Sequence, residues 1–204
     1  MVAPVYGFWS ALFESRAARQ AYQTAGLCGN ERVLEVAVGG GEFFAGLAKA
    51  PGLERCVGVD LSAPMLARTR RRLAAGSIAP GDLIRANAFA LPFAAAAFDI
   101  LFNLYMVDLL LEDDVPAVLR EFARVLRPGG RLILLIMARQ AEWVNAIWMW
   151  LYRRSPLMTG GCRPVPVAGM LEQNGWKINL REMISQSGFR SELIVAQFVP
   201  ETVQ

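Results

Sequence analysis

The sequence contains no histidine. The side chain that most often moves protons near neutral pH is therefore missing, and any such step falls to a carboxylate, a tyrosine or water. Cysteine is scarce: Cys28, Cys56 and Cys162 lie far apart without CxxC spacing. That argues against a disulfide framework or structural zinc and fits a reducing cytosol; no metal-ligand cluster is visible and no metal is expected. No apolar run reaches the roughly 18 residues that a membrane span needs. The opening MVAPVYGFWSALFES lacks the basic-then-apolar order of a signal peptide, so the expected location is cytoplasmic. A surplus of one charge is lacking too. With a net charge of +3 and both signs interspersed, no nucleic-acid partner is expected. The one local run, Arg68, Arg70, Arg71 and Arg72, reads as a solvated helix face.

What is present is apolar bulk, 54% of 204 residues. That is enough for one domain spanning residues 1–204. ERVLEVAV (31–38) is a short branched run bounded by glycines, the pattern of a strand buried on both faces. Similar runs follow at RCVGVD (55–60), DLIRANA (82–88), FDILFNL (98–104) and RLILLIM (131–137). A helix from Pro64 separates two of them, and another from Asp113, with apolar residues at 115, 118, 119, 122, 125 and 126, stops at Pro128-Gly129-Gly130. Alternating strands and helices predict an α/β, doubly wound, mostly parallel sheet. KINLREMIS and SELIVAQFV add an antiparallel pair at its edge, for seven strands, with the turn at 186–190.

In such a sheet, ligands sit beyond the C-terminal ends of the strands. The first strand carries Glu35 and runs into Gly39, Gly40 and Gly41, where a backbone without Cβ atoms lets a ligand come close. Asp60 ends the second strand about twenty residues on, the distance at which a carboxylate reaches both ribose hydroxyls. A glycine turn with a distant acid points to a nucleoside ligand, which NAD and S-adenosylmethionine both satisfy. Glu35 separates the two, because it would repel a pyrophosphate and suits a ligand with an ammonium and a sulfonium. A dinucleotide fingerprint also asks for a third small residue, and Phe44 stands in that place.

With these residues the chain resembles the class I S-adenosylmethionine-dependent methyltransferases. The similarity is greatest to the group of ubiquinone and menaquinone C-methyltransferases and bacterial phospholipid N-methyltransferases. Glu35, Gly39 and Gly41 match the first motif, Asp60 in VGVDLSAPML the second, RANAFALPFAAAAFDILF the adenine-contacting stretch, and RVLRPGGRLILL the lead into strand five. The resemblance implies a Rossmann-like methyltransferase fold and S-adenosylmethionine as cofactor, with S-adenosylhomocysteine as product. It implies that Gly39 and Gly41 admit the methionine part, that Glu35 orders the loop or reaches the amino group, and that Asp60 takes the ribose hydroxyls. Leu61 and Met65 would pack near adenine with Asn87 and Ala88 at its edge, and Ala37 and Asn103 complete the cofactor set. Three positions depart from the family pattern: Ala37 replaces a glycine, Asn87 a frequent aspartate, and Phe13 a frequent tyrosine.

A sulfonium methyl is already electrophilic, so such an enzyme mainly aligns its acceptor. Tyr105 and Asp108, just after strand four, are the candidate catalytic pair; the plainer alternative is that both are structural. Residues 139–166 stand where the family elaborates its substrate cover. Trp143, Ile147, Trp150 and Leu151 fall at helical spacing, Trp148 and Tyr152 widen the apolar surface, and Arg153-Arg154 ends it. This suits a lid over a greasy substrate or the edge of a bilayer, or else a helix packed on its own domain. Phe13, Trp148, Tyr152 and Arg163 form the candidate substrate-binding set, Arg163 meeting an anionic or carbonyl group or making a structural ion pair, while Cys162 packs. The expectation is methyl transfer to a small lipophilic acceptor (quinol, phenol or lipid amine), with possible peripheral membrane contact, by a monomer or homodimer. The alternatives are a methyltransferase acting on a polar metabolite and a cofactor-binding module without turnover.

Overall fold

A computed structural model of the protein describes residues 15–77, 82–139, 149–150, 152–154, 163–186 and 189–199. Seven strands form one sheet in the order β3-β2-β1-β4-β5-β7-β6. The first five, β1 (Arg32–Val36), β2 (Arg55–Asp60), β3 (Asp82–Arg85), β4 (Phe98–Leu104) and β5 (Leu126–Met137), pair in parallel. β6 (Trp176–Gln186) and β7 (Phe189–Phe198) are antiparallel, with β7 inserted between β5 and the edge strand β6. The doubly wound sheet with its antiparallel edge pair is the one expected from the sequence.

The central strands read as unbroken apolar runs because both sheet faces are covered. Leu34, Val36, Leu132, Leu134 and Ile194 point into one core with α4 (Val115–Val125) and α5 (Val167–Gln173). Val33, Ile100, Phe102, Ile133, Leu135 and Leu193 point into the other, against α1 (Ser15–Ala25). That helix turns Ala17, Ala21 and Ala25 to the sheet, small residues at a spacing that lets it lie close. Between the strands lie α2 (Glu42–Leu47) and α3 (Ala63–Ala75), the latter started by the Ser62 hydroxyl accepting from the Met65 N–H at 3.4 Å. No described helix is long and apolar enough to cross a membrane.

Three boundaries differ from the sequence reading, each for a local reason. β1 stops at Val36, not Val38, because Ala37 turns left-handed at φ 65°. β3 stops at Arg85, and Asn87 bridges back to Ala90 in a tight turn. The Pro128-Gly129-Gly130 stretch, expected to separate helix from strand, lies inside β5. Leu126 already pairs with Phe98, and a register shift before the Ile100–Arg131 pair absorbs the extra residues as a bulge. Below this bulge Asp99 joins three strands: Oδ2 accepts the Arg32 N–H at 2.6 Å and Oδ1 pairs with Arg127 Nε at 2.6 Å.

Candidate functional site

The C-terminal ends of β1, β2 and β4 carry the predicted nucleoside-binding residues. Glu35, one position before the end of β1, is only 3% exposed, and its Oε2 has no partner among the described residues. Burial, followed by the charges of Glu42 and Asp60, holds its carboxyl well above the usual carboxylate range. A buried carboxyl among acids favours a cationic ligand. On β4, Asn103 is fully buried; its Nδ2 donates to Val36 O at 2.9 Å, and its Oδ1 has no partner among the described residues. Val36 and Asn103 pair in register, so Asn103 and Glu35 point to opposite sheet faces.

The glycine turn between β1 and α2 is shaped by its neighbours. Asp60 Oδ2 accepts the Gly39 N–H and Oδ1 the Ser62 N–H, both at 2.8 Å. A carboxylate has about four acceptor sites, so two remain for other donors. From α3, the Thr69 hydroxyl donates to Gly39 O at 2.9 Å and Arg72 Nε donates to Gly40 O at 2.9 Å, while Arg72 also pairs with Glu42. The arginine run is therefore not simply a solvated face: Arg70 and Arg71 are exposed, but Arg72 holds the turn. Gly39 and Gly41 have φ of 54° and 77°.

Ala37 shares that left-handed geometry at φ 65°, so the departure seen in the sequence puts an alanine where the backbone favours glycine. Ala37→Gly is expected to raise unfolding free energy by about 1 kcal/mol, the relieved strain outweighing glycine's extra chain entropy. Urea denaturation measures it; equal or lower stability would show that the alanine is unstrained.

Leu61 is exposed, with its carbonyl held by Arg85 Nε at 3.0 Å, and Met65 is half-buried on the first turn of α3. Asn87 is exposed and its Oδ1 accepts the Phe89 N–H at 3.1 Å, so the amide oxygen already serves its own turn. Ala88 packs against the core. The stretch after it is fixed by a pair that sequence reasoning missed. Glu121 Oε1 accepts the Leu91 N–H at 2.6 Å, and Arg124 donates to the carbonyls of Leu91 and Phe93. The Arg124 hydrogen bond is the chief cause holding the Glu121 carboxyl below its usual range.

Beyond β4, Tyr105 and Asp108 are both buried. Tyr105, left-handed at φ 54°, shares a 2.6 Å hydrogen bond between its hydroxyl and Ser191 Oγ on β7. Asp108 Oδ2 accepts the Met137 N–H at 2.7 Å. Arg163 lies beside them: its N–H donates to Asp108 O at 3.0 Å, and its guanidinium donates to Leu109 O and Leu110 O and stands 5.4 Å over the Tyr152 ring. Tyr152 and Arg163 thus meet each other. Phe13, Trp143, Ile147, Trp148, Leu151 and Cys162 lie outside the described residues.

Residues 34–134 match the family described as a methyltransferase domain. The chain belongs to the class I S-adenosylmethionine-dependent methyltransferases. Among curated relatives of the chain, the ubiquinone/menaquinone biosynthesis C-methyltransferase UbiE of Cereibacter sphaeroides is 33% identical over 148 residues, 71% of this chain and 54% of that one. The demethylmenaquinone methyltransferase of Thermus thermophilus is 39% identical over 106 residues, 52% of this chain and 46% of that one. The chain thus spans about half the length of these relatives. A solved structure from Bacillus halodurans superposes with a TM-score of 0.74 at 19% identity, covering 90% of this chain and 99% of that one, a likeness of fold.

Proposed function

We propose that this methyltransferase moves the methyl group of S-adenosylmethionine to a small lipophilic acceptor: a quinol, phenol or lipid amine. One observation carries the reading: Glu35, buried and unpartnered among the described residues, beside a glycine turn that Asp60 holds. A ligand with fixed positive charge answers that carboxyl, and a pyrophosphate does not. When bound, S-adenosylmethionine supplies an electrophilic methyl group. The chain's part is to hold it, orient the acceptor and exclude water. Gly39 and Gly41 admit the methionine portion, Glu35 draws the ammonium, Asp60 takes the ribose hydroxyls, and Leu61, Met65, Asn87 and Ala88 border the adenine. Asn103 offers a second buried acceptor.

The acceptor side is apolar. Leu109 and Leu111 are exposed on the turn after β4, and Trp150, 62% exposed, belongs to the same segment as Tyr152, which meets Arg163 over that turn. Residues 139–166 cover this side in our reading. Trp150 and Arg154, four positions apart, suit the surface of an anionic bilayer that holds a lipophilic acceptor. The names of the relatives support a quinol as the first acceptor to assay.

Calorimetric titration with S-adenosylmethionine and S-adenosylhomocysteine tests the cofactor half. Micromolar binding, about −8 kcal/mol, weakened at least tenfold by Asp60→Ala, is expected. If the protein binds neither ligand, the reading fails and so does that of a cofactor-binding module; binding without methyl transfer to any acceptor would favour the module without turnover. Methyl transfer to a short-tailed quinol in detergent, against a polar catechol, tests the acceptor half; preference for the catechol would favour a polar metabolite.

A further inference from the structure

We propose that Asp108 is a positioning residue, not a base: it fastens both the outgoing end of β5 and the incoming chain at Arg163 to the turn after β4. The inference rests on the reading that this turn borders the acceptor.

Pairing between β4 and β5 ends at Leu104–Leu135, followed by the Tyr105 N–H donating to Leu135 O at 2.7 Å. There β4 gives way to the turn of Val107–Leu109, while β5 continues to Met137. Met137 is buried, so its N–H on the side that β4 has left would be an orphan donor. The Asp108 carboxylate, with Oδ2 at 2.7 Å, takes the place of the missing strand. Its backbone carbonyl accepts from the Arg163 N–H at 3.0 Å. The chain therefore leaves the sheet at Met137 and returns at Arg163 with both points bonded to one residue. The Arg163 guanidinium adds bonds to the carbonyls of Leu109 and Leu110, and Tyr105 ties the same turn to β7 through Ser191.

A base must meet the acceptor's proton and pass it on. Asp108 is fully buried, with one carboxylate oxygen committed to a backbone N–H. The Met137 N–H needs Oδ2 held in one place, so an Asp108 that moved to meet a proton and pass it on would loosen the wall in each turnover. A fixed carboxylate keeps the turn, β5 and Arg163 in one geometry, which alignment of an acceptor requires.

Asp108→Asn and Asp108→Ala separate the two roles, with Arg163→Met as a second route to the same wall. Asparagine keeps an oxygen for the Met137 N–H; alanine does not. The readouts are S-adenosylhomocysteine affinity, amide hydrogen exchange at Met137 and Arg163, trypsin cleavage at Arg153 and Arg154, and kcat and KM for the quinol. Both Asp108 variants should bind S-adenosylhomocysteine within about threefold of the parent. Asp108→Ala and Arg163→Met should speed exchange at Arg163 and cleavage about tenfold or more and raise KM more than they lower kcat, whereas Asp108→Asn should keep kcat within about tenfold. A fall in kcat of two orders of magnitude or more in Asp108→Asn, with exchange and cleavage unchanged, would establish a base and overturn the proposal. Unchanged exchange and cleavage in both Asp108→Ala and Arg163→Met would overturn the fastening. Failure of the parent to bind S-adenosylhomocysteine would sink the functional reading instead, while the exchange data would still judge the fastening. If Asp108→Ala does not fold, Arg163→Met supplies the exchange and cleavage comparison.

Discussion

Affinity for S-adenosylmethionine is expected to rise with pH, with up to one proton released for each molecule bound. The cause is Glu35. In the free protein its carboxyl is buried and feels the acids Glu42 from α2 and Asp60 from β2, with the Cys56 thiol of β2 beside it. The Cys56 thiol, pushed up to about 12 chiefly by burial, stays neutral throughout. Arg68 and Arg72 are directed to Glu42. A cationic ligand favours the carboxylate, so binding lowers the raised pKa and expels the proton. The affected window lies above the ordinary carboxylate range and up to the raised pKa of the free protein, where Kd should change by up to tenfold per pH unit. For stability the sign is reversed. A carboxyl whose folded pKa exceeds its unfolded value contributes stability that is full below the unfolded pKa and lost as pH rises through the folded one. The Tm of the free protein relative to Glu35→Gln should therefore fall with rising pH. Titration calorimetry in two buffers of different ionisation enthalpy measures the proton directly. A heat independent of buffer, together with a Kd flat in pH, would mean that Glu35 is already ionised.

The second large effect is expected at Gly41. A Cβ there would lie 2.5 Å from Thr69 Cγ2, on a backbone with φ of 77°. Thr69 has little freedom to yield, because its one hydroxyl proton is shared between Gly39 O at 2.9 Å and Met65 O at 3.1 Å. Gly41→Ala should thus combine left-handed strain with overpacking, about 2–4 kcal/mol of stability, and shift the turn enough to abolish measurable cofactor binding. Gly39→Ala provides the contrast. Its φ is 54° but nothing lies within 4 Å of the added methyl, so only strain of about 1–2 kcal/mol is expected. Urea unfolding and ligand titration on both variants give four numbers. If Gly39→Ala loses more affinity than its stability loss explains, the open space above that residue is where the ligand sits. If Gly41→Ala unfolds like the parent, Thr69 does not hold the turn.

The strands and helices were legible because hydrophobic periodicity is local information. The run ERVLEVAV needed two covered faces, and the helix from Asp113 showed its buried positions five times over. Glu35, Gly39, Gly41 and Asp60 were legible as a set because a topology fixes which strand ends meet. The braces were not. Thr69 and Arg72 reach the glycine turn across some thirty residues, and in sequence Arg72 is one arginine in a run of similar ones. Arg124 and Glu121 have the spacing of any helix-surface pair, and Ser191 carries no signal that it meets Tyr105. Pro128-Gly129-Gly130 misled for a different reason: those residues serve a turn or a bulge equally well, and only the partner strand decides. Phe44 was an argument against a dinucleotide fingerprint; the structure adds that Gly58 on β2 leaves the room this ring needs.

The insertion of β7 between β5 and β6 bears on how the chain is made. Strands leave the ribosome in numerical order, yet the spatial order ends β5-β7-β6. When β6 has emerged, its partner β7 has not yet followed, and the edge of β5, with Ile133 and Leu135, is still open. For that interval of synthesis the nascent chain carries two unsatisfied edges that could pair with each other or with a neighbouring chain. The arrival of the β7 segment, Phe189–Phe198, closes both at once, which makes this strand the point at which chaperone protection of the nascent protein can end.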